Sequence, residues 1–293
     1  MEVKTQFGTL EATIPKNTKG IFISVSGGMD SATLLYMLCC QIREKDLNIP
    51  IYCGTCSYHH DPCALYRGNL VIKHMRREFP DINIHVRTLV DKGFIGRRKG
   101  ILILGLYNEV LREHKWSGWD CRCWWGLTAN PDDSFTFKEP DGWYVNSDAN
   151  RTPGKIDKKR KPLYGCGSCH PFRDVNKKVL VAAQWKLGLF PCYNTITNSC
   201  TDITEYECHK CWWCQERKWA IDASIPADWR CPPDIDPIDF YSTSHKILKR
   251  WREGVVWSKY GWEKREKIEK NFPIHKWINS FWFNNPPDDL KLL

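Results

Sequence analysis

The stretch IFISVSGGMDSATLLYML, residues 21–38, decides the fold of this chain. Its apolar and β-branched residues predict a buried strand over 21–25, and the pattern resumes as a helix over 31–43. Between the two lies a short loop that begins with Ser26 and two glycines. The backbone N–H groups of such a loop can point at one spot, where the helix start adds partial positive charge. The stretch therefore predicts an anion site, most simply for phosphate, at the end of a strand.

Each polar residue of this loop has a candidate role. Gly27 and Gly28 allow the backbone to approach an anion closely, and the hydroxyls of Ser26 and Ser31 can donate hydrogen bonds to it. Asp30 is expected to act through Mg²⁺, because the ion removes the repulsion between a carboxylate and phosphate. The alternative is an ordinary strand-to-helix turn in which Asp30 is the helix N-cap.

Further strands and helices alternate along the chain after this loop. The sequence predicts strands over 49–56 and 82–90, and helices over 63–79 and 101–114. Such alternation is typical of βαβ units around a parallel sheet. Ligands bind such sheets at the carboxyl ends of the strands. We therefore predict an α/β fold, a doubly wound parallel sheet, with the glycine loop at its ligand-binding edge.

The rest of the chain is less regular. Residues 115–170 are rich in Trp, Gly, Pro, Asp and Lys and predict a lid or binding loop. A helical pattern returns over 174–189 with Asp174 as the expected N-cap, although lysines in its first turn fit the helix dipole poorly. A Pro-rich stretch then precedes basic, Trp-rich sequence. We expect a domain over 1–225 and a C-terminal extension over 226–293.

Composition limits the classes of protein that this chain can belong to. Its 293 residues are 42% hydrophobic, which supports a packed core, and the net charge of +9 favours anionic partners. There is no apolar run of about 18 residues, and no secretory signal is visible at the start. We therefore expect a cytoplasmic protein with no membrane partner. Clustered members of its 15 cysteines are then expected to bind metal, and scattered ones to be buried thiols.

The densest group of cysteines lies in NSCTDITEYECHKCWWCQER, residues 198–217. The spacing is C-x7-C-x2-C-x2-C, formed by Cys200, Cys208, Cys211 and Cys214. Four thiolates can close a tetrahedral Zn²⁺ site and order a loop that has no core of its own. An iron–sulfur cluster is the alternative, because C-x2-C-x2-C also occurs in ferredoxins, where the fourth cysteine lies downstream. Disulfides are disfavoured by the expected compartment.

The string SVSGGMDSATLL, which starts at residue 24, resembles the PP-loop motif S-G-G-x-D-S of the N-type ATP pyrophosphatases. The resemblance implies an adenine nucleotide alpha hydrolase-like fold, with ATP and Mg²⁺ as cofactors. It also implies cleavage of ATP between its α- and β-phosphates and adenylation of a substrate oxygen. The implied cofactor-binding residues are Ser24, Ser26, Gly27, Gly28, Asp30 and Ser31, and the implied catalytic residues are Asp30 and Ser31. We expect Asp30 to be exposed, so that Asp30→Ala abolishes AMP formation with little loss of stability.

Together with the cysteines, this motif resembles the 7-cyano-7-deazaguanine synthase family over roughly residues 20–220. The pattern TNSC…C-x2-C-x2-C-x2-R implies a structural Zn²⁺ held by the four cysteines, and Arg217 stands at the family's arginine. The segment NKKVLVAAQWKLGLFPCYNT, 176–195, is similar to the family's lysine-led helix. GLTANPDDSF, 126–135, is similar to its strand end and substrate loop.

The family resemblance implies a specific reaction. ATP would adenylate the carboxylate of 7-carboxy-7-deazaguanine, ammonia would give the amide, and a second ATP would lead to the nitrile. The partners are then ATP, ammonia and a deazaguanine-type small molecule. The segment CSYHHDPCALYRG, 56–68, departs from the family, with Tyr58 and His59 where a Tyr-Gly-Gln type of stretch is usual. The acid or amide that ATP activates is therefore left open, and an amide-forming variant is included.

Two other functions stay open. The first is sulfur transfer to RNA or DNA bases, which would use the surplus cysteines and the basic extension. The second is a nucleic-acid-binding protein that binds the nucleotide without turning it over. Basic residues between tryptophans over 240–293 suit stacking on nucleic acid, or a helix that packs its tryptophans on the main domain. A homodimer is also kept as a candidate assembly.

Two smaller groups of cysteines need an assignment. Cys121, Cys123, Cys166 and Cys169, with His170, are a candidate second metal site, although spacing alone cannot bring them together. Cys53 and Cys56, with Cys63, lie at the end of the second predicted strand and are expected to be buried thiols rather than a metal site.

Overall fold

The computed structural model describes residues 1–57, 64–90, 99–138, 164–165, 167–198 and 211–226. Its strands are β1 (Glu2–Thr5), β2 (Gly8–Glu11), β3 (Gly20–Ser24), β4 (Ile51–Ser57), β5 (Ile84–Val90), β6 (Cys121–Trp125), β7 (Tyr164–Gly165) and β8 (Ser168–Cys169). Its helices are α1 (Met29–Glu44), α2 (Ala64–Glu78), α3 (Lys99–His114), α4 (Lys177–Lys186), α5 (Phe190–Ile196) and α6 (Trp212–Ser224).

The main sheet has the strand order β5-β4-β3-β6-β8-β7. Its strands run parallel, except that β7 is antiparallel to β8. From β3 the chain moves outward to β4 and β5, and then returns to place β6 on the other side of β3. The sheet therefore confirms the predicted α/β fold, and the direction of winding reverses between β3 and β6. In such sheets the ligand site lies at this reversal.

Helices cover both faces of the sheet. Ile21 and Ile23 of β3 belong to the larger hydrophobic core, with side chains of α1, α2, α4 and α5. Phe22 belongs to a second core, with side chains of α3. All five residues of β3 are buried, as expected for a strand that is covered on both faces. Among the described helices, none is both long and apolar enough to cross a membrane.

The start of α4 corrects a prediction. Asn176, not Asp174, is the N-cap, and its side-chain oxygen accepts hydrogen bonds from the backbone N–H groups of Lys178 and Val179. The carboxylate of Asp174 instead pairs with Arg173. The N-cap, and with it the helix start, therefore lies two residues later than predicted.

Residues 115–170 also differ from the prediction of a loop. They include β6, which pairs with β3 on one side and with β8 on the other. Residues 139–163 and 166 of this segment lie outside the described residues, as does the predicted extension beyond residue 226. An additional hairpin, β1–β2, precedes the sheet and contacts α4.

Candidate active site

The glycine loop lies between β3 and α1, at the reversal of the sheet. Ser31 Oγ donates to the carbonyl oxygen of Gly28 at 3.0 Å and accepts from the backbone N–H of Ser26 at 3.2 Å. The N–H of Gly28 in turn donates to Ser26 Oγ at 3.3 Å. The two serines therefore fix the shape of the loop through their own hydrogen bonds.

Two glycines are required by close contacts at this loop. Gly27 has a φ of +77°, and a Cβ on it would lie 2.3 Å from the Cβ of Arg67. Gly126 follows β6, and a Cβ there would lie 2.7 Å from the backbone carbonyl carbon and oxygen of Asp30. The loop is therefore held between α2 on one side and the segment after β6 on the other.

The start of α1 fits an anion. Its N-cap is Gly28, which has no side chain with which to cap the helix. N–H groups in the first turn of a helix are otherwise met by a side chain, by water or by a bound anion. The carboxylate of Asp30 is held by Lys177 Nζ, at 2.6 and 2.8 Å, and by Thr128 Oγ1, at 3.1 Å. The alternative in which Asp30 caps the helix is therefore wrong.

Lys177 places a buried cation at the site. Its side chain is 4% exposed, and that of Asp30 is 18% exposed. Glu216, which is completely buried, brings its Oε2 to 3.9 Å from the same ammonium nitrogen. The expectation of a freely exposed Asp30 is therefore wrong, because its carboxylate is one of two that flank a buried lysine.

The site thus contains side chains that the sequence predictions missed. Lys177 lies at the first position of α4, where a cation is unfavourable next to the positive end of the helix. From the sequence alone, this unfavourable placement could have indicated that Lys177 pairs with a carboxylate from another part of the fold. Thr128 and Glu216 gave no such signal. The neighbouring Lys178 is held by Asp132 and Ser134, so it belongs to the surrounding structure.

The predicted cofactor-binding residues lie between the end of β3 and the first turn of α1, but they differ in exposure. Ser24 is 6% exposed, and its strand neighbours in register are Gly54 and Trp125. Ser31 is 3% exposed and bonded within the loop. Ser26, Gly28 and Asp30 are partly exposed. The binding and catalytic roles assigned to these residues stay predictions.

Two of the four predicted metal ligands, Cys211 and Cys214, are described. Cys211 is the N-cap of α6, and its sulfur accepts a hydrogen bond from the backbone N–H of Cys214 at 3.4 Å. Both thiols are fully buried. Cys200 and Cys208 lie outside the described residues, within which no three metal-ligating side chains converge. The Zn²⁺ site and its iron–sulfur alternative stay predictions.

Helix α6 also supports the glycine loop indirectly, through the segment that contains residues 194–198. Arg217, 2% exposed, donates to the carbonyl oxygens of Thr197 and Asn194, both at 2.8 Å. It also donates to the side-chain oxygen of Asn194 at 2.9 Å. The next residue along, Asn198, donates its N–H to the carbonyl oxygen of Gly27 at 2.9 Å. Arg217 therefore fixes the segment that holds the loop.

The segment after β6 connects the loop to α6. Its Phe135 ring packs against Trp212 and Trp219, with ring centroids 4.9 and 5.6 Å apart. The backbone N–H and carbonyl of Lys138 form two hydrogen bonds with the side-chain amide of Gln215. The predicted substrate loop over 126–135 is therefore fastened to α6. Tyr58 and His59, which mark the departure from the family, lie outside the described residues.

The candidate second metal site is not supported by the described cysteines. Cys121 and Cys123 belong to the core under α3, whereas Cys169 pairs in register with Trp124 and belongs to the other core. The three thiols therefore do not converge, and Cys166 lies outside the described residues. Burial raises the pKa of both Cys121 and Cys169 to about 12.

Cys53 and Cys56 are buried thiols, as predicted, whereas Cys63 lies outside the described residues. Both are fully buried, and they lie in different cores on the two faces of β4. Burial raises the pKa of Cys53 to about 12, so this thiol is held in its neutral form.

Comparisons with known proteins add little to this picture. No family model matches the sequence, and a search of curated proteins finds no match. Among solved structures, the chain is similar to the U34-tRNA thiolase NcsA from Methanococcus maripaludis, solved with its 4Fe-4S cluster. The identity is 15%, over 82% of this chain and 75% of that chain, and the TM-score is 0.36. At this TM-score the likeness is too loose to support an inference about activity.

Proposed function

We propose that this chain is an ATP-using enzyme that transfers AMP to an oxygen atom of its substrate and releases pyrophosphate. The observation that carries the proposal is the glycine loop at the reversal of the sheet, between a helix start without a capping side chain and the Asp30–Lys177 pair. A loop of backbone donors, a cation and a carboxylate at one strand end suits a polyphosphate with its metal ion.

The described residues would divide the work of such a reaction. The loop N–H groups would hold the phosphates, and Thr128 would orient the carboxylate of Asp30. Asp30 would hold Mg²⁺, which when bound neutralises charge that develops on pyrophosphate. Ser31 would keep the loop in shape through its bond to Gly28. An oxygen made into an AMP ester becomes a good leaving group, so no protein nucleophile is required.

The first version of the proposal ends in carbon–nitrogen bond formation. ATP would activate 7-carboxy-7-deazaguanine or a similar acid, and ammonia would displace AMP to give the amide. A second ATP would adenylate the amide oxygen, and loss of that oxygen with AMP would leave the nitrile. Its support is the sequence resemblance at the glycine loop and at the cysteines. In this version four thiolates leave no open position on Zn²⁺, so the ion would be structural.

The second version ends in sulfur transfer to a base of RNA or DNA. One observation favours it: the cysteine-bearing turn lies beside the site, since Glu216, two residues after Cys214, reaches Lys177. A cluster bound there would be near the activated substrate, and the basic extension would bind the nucleic acid. In this version the cysteines would hold an iron–sulfur cluster.

Product and metal analysis together test both versions. Protein purified with and without oxygen is analysed for zinc, iron and acid-labile sulfide, and Asp30→Asn is the matched inactive control. The first version predicts that incubation with ATP, ammonia and the deazaguanine acid gives AMP and the amide or nitrile. The second version predicts that incubation with ATP, a sulfur donor and RNA or DNA gives AMP and a thiolated base. ATP cleaved to ADP, or tight nucleic-acid binding with no AMP under any condition, would overturn the proposal.

A further inference from the structure

Glu216 is a buried carboxylate whose side chain points at the candidate active site from the cysteine-bearing helix. It is 0% exposed, and its Oε2 lies 3.9 Å from Lys177 Nζ. A carboxylate is rarely buried unless it meets an opposite charge, because removing it from water is costly. The lysine that it faces is itself 4% exposed and already forms a close pair with Asp30. One buried cation is therefore shared by two carboxylates.

The two contacts of Lys177 are unequal. Both oxygens of Asp30 lie within 2.8 Å of the ammonium nitrogen, whereas the oxygen of Glu216 is a full ångström further away. In this structure the carboxylate of Asp30 is therefore occupied by Lys177. If Asp30 is to hold Mg²⁺, as proposed above, the lysine must give up part of this contact, because two cations at one carboxylate repel each other.

A buried lysine that loses its closest partner must find another anion, since an unpaired charge in the interior is strongly destabilising. Glu216 is the second carboxylate within ion-pair distance of Lys177 among the described residues. An ammonium has three donor hydrogens, so it can keep one partner while it exchanges another. Glu216 therefore offers the lysine a second anionic partner when its contact with Asp30 weakens.

We infer that Glu216 is a positioning residue that retains Lys177 when Asp30 binds the metal ion of a metal–nucleotide complex. This inference rests on the proposed function. It assigns to α6 an indirect role in nucleotide binding: the helix that carries Cys214 also carries the carboxylate that frees Asp30. Glu216 touches neither nucleotide nor metal in this scheme, and it acts only through the lysine.

The test measures how strongly Mg²⁺ improves nucleotide binding. The full-length chain is titrated with α,β-methylene-ATP, which cannot be cleaved at the reacting bond, once with Mg²⁺ and once with EDTA. The ratio of the two dissociation constants is the Mg²⁺ enhancement. Glu216→Gln should reduce this enhancement by about tenfold, within the range typical of coupled sites. It should do so with little change in the binding measured in EDTA, which a merely structural defect would weaken as well.

Two further variants make the test specific. Asp222→Asn removes an exposed carboxylate of the same helix, which pairs with Lys218, and should leave the enhancement unchanged. In a Lys177→Gln background, Glu216→Gln should have no further effect on the enhancement, because the group through which it acts is gone. Thermal unfolding of every variant is recorded in parallel. If Glu216→Gln fails to fold, the double variant with Lys177→Gln should fold again, since the buried cation that lost Glu216 is then neutral, and the remaining carboxylate of Asp30 is 18% exposed.

The outcomes separate this inference from the function on which it rests. No binding of α,β-methylene-ATP by the unmodified chain would overturn the proposed function, and the inference with it. Binding by the unmodified chain, with the same Mg²⁺ enhancement in Glu216→Gln, would overturn the inference alone. An effect of Glu216→Gln that persists in the Lys177→Gln background, or a double variant that does not refold, would also overturn it.

Discussion

Lys177 Nζ lies 2.6 and 2.8 Å from the two carboxylate oxygens of Asp30, although the two residues are 147 positions apart in the chain. The contact joins the first turn of α4 to the first turn of α1. Lys177 is unfavourable at the start of its own helix, whereas Asp30 suits the start of α1, and the carboxylate of Asp30 accounts for the position of the lysine. The pair ties the glycine loop to the helix that leads toward the cysteines.

Replacing Asp30 should destabilise the protein as well as remove activity. Asp30→Ala leaves Lys177 buried with Glu216 as its remaining partner at 3.9 Å. Breaking a buried ion pair by removing one partner costs about 3 kcal/mol or more. Because Glu216 remains, we expect a loss of about 2 kcal/mol in the free energy of unfolding, measured by urea denaturation.

The control for this experiment is Asp174→Ala. Asp174 also pairs with a basic residue, Arg173, but its side chain is 66% exposed. Exposed pairs contribute at most about 1 kcal/mol, so we expect little change. If the two substitutions have equal and small effects on the free energy of unfolding, the Asp30–Lys177 pair does not contribute the stability expected of a buried ion pair.

Gly27 should not tolerate even a methyl group. Its φ of +77° is unfavourable for any residue with a Cβ, and that Cβ would lie 2.6 Å from the backbone carbonyl carbon of Arg67. We expect Gly27→Ala to lower the free energy of unfolding by at least about 2 kcal/mol.

Gly105→Ala is the matched control for Gly27→Ala. Gly105 lies within α3, and a Cβ there would meet nothing within 4 Å. Alanine is the better helix former by about 1 kcal/mol, so this variant should be more stable than the unmodified protein. Denaturation curves that move in the same direction for both variants would show that the loop is not constrained as described.

Cys211→Ser should remove bound metal and stability together. Cys211 caps α6 and is buried beside Cys214, so an unfilled site would loosen the helix that carries Glu216 and Arg217. Cys40→Ser, at a partly exposed position of α1, should change neither property. Elemental analysis and thermal unfolding measure the two effects. A variant that retains its metal and an unchanged melting curve would rule out Cys211 as a ligand.

Stability should fall as the solution becomes mildly acidic. Burial lowers the pKa of His74 below its ordinary value of 6.5, and burial followed by Arg87 and Arg76 lowers the pKa of His85. Below the ordinary pKa the unfolded chain therefore binds more protons than the folded one, and stability decreases with decreasing pH. The loss should begin near pH 6.5 and continue as the pH falls toward the lowered values.

The measurement compares unfolding free energies between about pH 7.5 and pH 5.5, a range in which histidines are the main titrating side chains. In His74→Gln the decline should be shallower than in the unmodified protein, because one of the responsible groups no longer titrates. Two curves with the same slope would show that His74 does not contribute.

Local sequence patterns predicted much of the fold. The buried run of β3, the loop and the start of α1 are adjacent in the chain, so their hydrophobic pattern and glycines report directly on the structure. The same holds for β4, α2, β5 and α3. By contrast, the sequence patterns did not predict β6. This strand has five residues, and its two adjacent tryptophans leave no clear alternation of apolar and polar side chains.

The site was only partly predictable for a related reason. The residues from Ser26 to Ser31 are contiguous, so a motif can reveal them. The side chains around Asp30 come from three distant segments: Thr128 and Lys177 contact it, and Glu216 contacts Lys177. No local pattern indicates that these three converge. The N-cap was misplaced because Asp and Asn are about equally suited to capping, so residue type alone does not choose between Asp174 and Asn176.

The most direct test of the account is calorimetric titration of the protein with α,β-methylene-ATP and Mg²⁺, followed by displacement with pyrophosphate. We predict that the analogue binds, that pyrophosphate displaces it, and that Asp30→Asn loses the part of the affinity that depends on Mg²⁺. An analogue that fails to bind, or that binds equally well in the presence of excess pyrophosphate, would contradict the assignment of the glycine loop as a pyrophosphate site.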